Sequence, residues 1–121
     1  MSEFENVYPL RDLSKKIINT NRGIDDFIFS SQVDLLHLIL KNYLIDNKYK
    51  AIEIEVIDYF FIEKLFDYTM NIKSKNKLES ILSDNKNDFQ GLWLMSSELL
   101  NKIFDEMMVT IRLIEQGSDN K

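Results

Sequence analysis

The sequence contains no cysteine. Disulfides and thiolate metal sites are therefore excluded, and a chain of 121 residues has to fold by burying apolar surface. Proline and alanine each occur once, as Pro9 and Ala51, and glycine three times. So little turn punctuation argues against a many-stranded β domain and makes helices the expected element. The isolated glycines Gly23, Gly91 and Gly117 cannot form a phosphate-binding loop. The spacings of zinc proteases, nucleophile elbows, EF-hands and zinc fingers are also missing. No apolar stretch reaches the ~18–20 residues of a membrane span. The opening Met1-Ser2-Glu3-Phe4-Glu5 has neither the basic lead nor the apolar run of a signal peptide, so the expected location is cytoplasmic.

Basic residues are the scarcer sign of charge, 15 against 20 acids, for a net charge of −5 and a pI near 4.9. Affinity for nucleic acid draws heavily on basic groups that neutralise phosphates. This balance predicts neither direct nucleic-acid binding nor attraction to an anionic membrane; a basic protein partner suits it better. Scarce Ala and Arg beside abundant Ile, Asn and Lys follow AT-rich codons, as in low-GC bacteria, phages and mobile elements.

What is present is helical periodicity. Residues 1–8 read as an extension, 9–116 as a single helical domain and 117–121 as a frayed tail. Pro9 suits a first helical turn, after which Leu10, Leu13, Ile17 and Ile18 recur at helical spacing. The stretch Asn19 to Gly23 breaks that helix. Ile24, Phe27, Ile28 and Phe29 follow, and Ser31-Gln32-Val33-Asp34 resembles a capping box that would open a second helix. Behind it, Val33, Leu36, Leu40, Tyr43 and Leu44 form a stripe widened by Leu35, Leu38 and Ile39, which predicts a central helix ending at an Asp46–Lys48 turn. Residues 52–56 alternate like a strand, yet the stripe continues through Ile57, Phe61, Leu65, Tyr68 and Ile72, predicting one helix over 51–73. A short helix around Leu78, Ile81 and Leu82 follows, with a polar turn at 84–87. A final long helix runs from Phe89 to Ile114, with Trp93 on its apolar face and Gly117 as its stop. The expected fold is all-α: a compact bundle of four principal helices plus one short helix.

Catalytic groups are sparse. His37 is the sole histidine, and Asp34-x-x-His37 supplies only half of a carboxylate–histidine metal motif that must occur twice. A structural histidine is the simpler reading. The adjacent acids Asp25-Asp26 and Asp105-Glu106 diverge by about 100° on a helix and make no acid/base pair. Lys73, Lys75 and Lys77, with Lys86 nearby, read as a solvated loop because no recognition helix follows. No catalytic residue, metal or cofactor is expected, and the chain does not read as an enzyme.

One segment combines the features of a protein-binding surface. Between residues 53 and 67 lie five acids, Glu53, Glu55, Asp58, Glu63 and Asp67, against Lys64 alone. Tyr59, Phe60, Phe61, Phe66 and Tyr68 crowd the same region. Aromatic anchors give desolvated contact and acids give steering, so Glu55, Tyr59, Glu63, Phe66 and Asp67 are the candidate partner-binding residues. The competing reading is a middle helix wrapped by its neighbours. The functional expectation is a stoichiometric inhibitor of the immunity, antitoxin or phage-inhibitor type that binds a basic partner such as a nuclease. The alternative is a helical regulatory or assembly subunit that self-associates through its last helix, so that the protein is a monomer or a homodimer.

Overall fold

The computed structural model describes residues 10–18, 25–47 and 59–119, and the side chains of these apart from 59 and 115–119. Six helices make up the regular structure of the described residues: α1 (Leu10–Ile18), α2 (Asp26–Asn47), α3 (Tyr59–Ser74), α4 (Leu78–Asp84), α5 (Gln90–Trp93) and α6 (Ser97–Asp119). The all-α bundle expected from the sequence is the fold observed, with two short helices, α4 and α5, where one was expected.

The central position of α2 follows from its composition. Val33, Leu35, Leu36, Leu38, Ile39 and Leu40 point round most of the helix and are all buried, which is possible only where neighbours cover several sides. Those neighbours are chiefly α1, α6 and α5, with α3 packed against its C-terminal half. Leu13, Ile17 and Ile18 close the core from α1, and Ile103, Phe104, Met107 and Ile111 close it from α6. Ser14 is buried on α1 and spends its hydroxyl on its own helix, donating to the Leu10 carbonyl at 2.8 Å. No helix among the described residues is long and apolar enough to cross a membrane.

Several boundaries differ from the sequence reading. Ser31 does not cap α2; the helix starts at Asp26, and Ser31 is buried within it. Asp25 is the cap, its Oδ1 accepting from the backbone N–H of Phe27 at 2.7 Å and of Ile28 at 3.4 Å. Asp caps as well as Ser, and the earlier start adds the turn carrying Phe27 to Phe29. At its other end α2 runs through Asp46 and Asn47 rather than turning there.

The long final helix is two helices. Between α5 and α6 the chain turns at Leu94 to Ser96, and Ser96 recaps it: its Oγ accepts from Leu99 N–H at 3.2 Å and its carbonyl from Leu100 N–H at 2.9 Å. The break lets Phe89 and Leu92 bury against the bundle while Trp93 turns outward at 40% exposure. Gly117 does not stop α6, which continues to Asp119; glycine costs only about 1 kcal/mol relative to alanine inside a helix and need not end one. The expected helix over 51–58 and the Pro9 start lie outside the described residues.

The turn after α3 is closed by a left-handed residue. Asn76 has φ 55°, with its N–H bonded to the Lys73 carbonyl at 3.1 Å and the Lys77 N–H to the Ile72 carbonyl at 3.0 Å. This is a Schellman arrangement with Asn in the position glycine usually fills.

Candidate partner-binding surface

Three sides of α3 are committed to packing. Ile62, Leu65, Thr69 and Ile72 face inward and are buried, and the Thr69 hydroxyl is satisfied by the Leu65 carbonyl at 2.7 Å. On the α2 flank, the rings of Phe61 and Tyr68 meet Tyr43 edge-on, with centroids 6.4 and 5.1 Å apart. The Tyr68 hydroxyl donates to Asp46 Oδ2 at 2.6 Å and accepts from Asn42 Nδ2 at 2.6 Å. Burial, then the bond to Asp46, holds the Tyr68 phenol well above its ordinary range, so it stays a neutral donor. On the opposite flank α3 packs on α6, and the outward side carries Phe60, Asp67 and Met70, with Glu63 half-buried.

The α3–α6 seam carries the candidate surface. Phe66 is half-buried there, and the Arg112 guanidinium lies over its ring, 5.3 Å from the centroid. Val109 and Leu113 stand one turn apart on the outer side of α6 and are 57% and 56% exposed. Together with Met108 these residues line a shallow groove of about 360 Å³ whose only charged lining group is Arg112. Further along the seam, Lys73 pairs with Asp105 and its ammonium lies 5.9 Å from the Phe104 ring centroid. Arg112 and Lys73 are thus engaged, whereas Glu63 and Asp67 make no ion pair among the described residues. Lys64 lies about 160° round α3 from Phe66, on the side of Asp67 away from the groove and within one turn of it.

Of the five residues nominated from sequence, Phe66 lines the groove, while Glu63, half-buried, and Asp67, exposed, lie on the adjoining outward side of α3. Glu55 is outside the described residues, and so is the side chain of Tyr59, the first residue of α3. Val109, Arg112 and Leu113 were missed. Their signal was an i, i+4 aliphatic pair off the apolar stripe of α6, which an inward-facing reading of that helix passes over.

Two other places gather polar side chains. Around His37, Arg11 pairs with Asp34, the ring meets Phe89 edge-on at 5.1 Å, and Lys41 donates to Asn85 Oδ1 at 2.9 Å and lies 3.7 Å from Asp88. Burial first, then the Arg11 charge, pushes the imidazole below its ordinary pKa. This arrangement clamps α1, α2 and the α4–α5 turn together. Among the described residues no three His, Asp or Glu side chains gather into a possible metal site. A second cleft, of about 350 Å³, lies between α4, α5 and the start of α6, with Leu82, Leu92 and Leu100 in its lining and Asn76, Glu79, Ser97 and Asn101 as its polar groups. No family model, curated protein or solved structure matches this chain.

Proposed function

We propose that this protein acts by binding another protein rather than by catalysis. In this reading it is a cytoplasmic, stoichiometric inhibitor of the immunity, antitoxin or phage-inhibitor type, and its partner is a basic protein such as a nuclease. The observation that carries the reading is the α3–α6 groove, where half-exposed Val109 and Leu113 meet Phe66, with Glu63 and Asp67, which make no ion pair among the described residues, on the adjoining side of α3. Apolar anchors set among acids suit a basic partner: burial slows dissociation, and charge speeds encounter. The net charge of −5 acts in the same direction at longer range.

The test starts with capture of the partner on the immobilised protein, followed by binding kinetics with purified components. Leu113→Asp should raise the dissociation rate at least tenfold while leaving the fold intact, because that side chain is already half in water. Unchanged kinetics would reject this surface. A second reading, self-association, is favoured by the outward Val109–Leu113 pair on the longest helix. Sedimentation equilibrium separates the two readings, since a stable dimer that Leu113→Asp dissociates would replace the inhibitor reading with the assembly one.

A further inference from the structure

Resting on that protein-binding reading, we infer that the partner element seated in the α3–α6 groove is a basic amphipathic α-helix. The argument turns on backbone hydrogen bonds. Both walls of the groove belong to helix interiors, where N–H and C=O groups are already paired along the helix. An extended strand laid there would find no edge to join and would bury its own backbone groups unpaired. A polyproline segment needs a wall of several aromatic rings, and Phe66 is the only aromatic in the lining. A helix brings its backbone bonds already made, and its ridge of side chains can lie in the valley between two packed helices.

The groove also limits size and charge. From Met108 to Leu113 the wall rises about 7.5 Å along α6, little more than one turn, so two apolar anchors at i and i+3 or i+4 fill it. Glu63 and Asp67 are themselves one turn apart along α3, matching Lys or Arg at the same spacing on the incoming helix. On the other wall Arg112 favours the carbonyl end of that helix, which sets its direction. Lys102 lies two turns before Val109 on α6, beyond the end of the groove.

The probe is a dye-labelled 18-residue helical peptide of Leu, Lys and Ala, with the leucines on one stripe and lysines at its borders. Its control has the same composition in scrambled order. Binding is followed by fluorescence anisotropy, and the contact surface by amide chemical-shift mapping on the full chain. The expected result is that the striped peptide binds at least tenfold more tightly than the scrambled one. Shifts should centre on Phe66, Val109 and Leu113, and Leu113→Asp and Glu63→Lys should each weaken binding several-fold. Equal binding of the two peptides, or shifts centred elsewhere, would overturn the inference. If the captured natural partner still depends on Leu113 while neither peptide binds, the helix inference fails and the protein-binding reading stands. If the partner is also indifferent to Leu113, both fail.

Discussion

At the scale of single residues, the buried Gln32 and the half-buried His37 each carry a stability prediction. Gln32 is 1% exposed and its Oε1 has no hydrogen-bond partner among the described residues. A buried unsatisfied acceptor costs roughly 1–3 kcal/mol, so Gln32→Met, which keeps the length and removes the polar end, should stabilise the fold by about 1 kcal/mol and raise Tm by about 4 °C. Differential scanning calorimetry checks this, and a lower Tm would mean the carboxamide is needed. His37 predicts a pH effect. Its pKa is lowered in the folded protein by burial and by Arg11, so the folded state binds that proton less readily than the unfolded chain. Stability is then highest above the unfolded value, near 6.5, falls as pH drops through it, and levels off below the lowered folded value. Comparing urea midpoints at pH 7.5 and 5.5 should show a loss in the parent that is reduced in His37→Gln. Equal losses would assign the effect to carboxylates.

At the scale of elements, caps decide where helices begin, and apolar periodicity decides only which way they face. Ser96 illustrates the difference. Phe89 to Ile114 keeps one apolar face in the sequence, so the break is invisible to a pattern count, yet Ser96 recaps the chain and α6 starts afresh. Ser96→Ala should cost about 1 kcal/mol by chemical denaturation, whereas Leu94→Ser, at a side chain 81% exposed, should change stability by less than about 0.5 kcal/mol. The stripes of α1, α2 and α6 were legible because burial there repeats every third or fourth residue. Asp25 was passed over because Ser31 offered an equally good capping pattern six residues later. On α3 the sequence identified the surface residues Glu63, Phe66 and Asp67. It gave no means of finding α6 as the other wall, because that depends on which helices pack together. Tyr68, which the sequence sets on the inward stripe, is half-buried and held by Asn42 and Asp46 within the bundle.

At the scale of the whole molecule, a single apolar core joins α1, α2, α3 and α6, with α4 and α5 closing one end. Phe104 sits in it at 2% exposure, so Phe104→Asp removes a large buried side chain and puts a charge in its place. The truncation alone is worth ~3–5 kcal/mol, and loss of the cooperative thermal transition in circular dichroism is the expected outcome. The proposed partner surface lies outside that core, in the α3–α6 groove where Phe66 stands beside Val109 and Leu113. The most direct test is the association rate of the captured basic partner, measured at low and high salt for the parent and for Glu63→Lys with Asp67→Lys. Both acids lie beside the groove rather than in the core, so the double variant should fold like the parent. It should associate several-fold more slowly at low salt, with a shallower salt dependence, because steering by rim charges acts on encounter and is screened within about 10 Å at 0.1 M salt. An association rate and salt dependence identical to the parent's would contradict the claim that a basic partner lands on this surface.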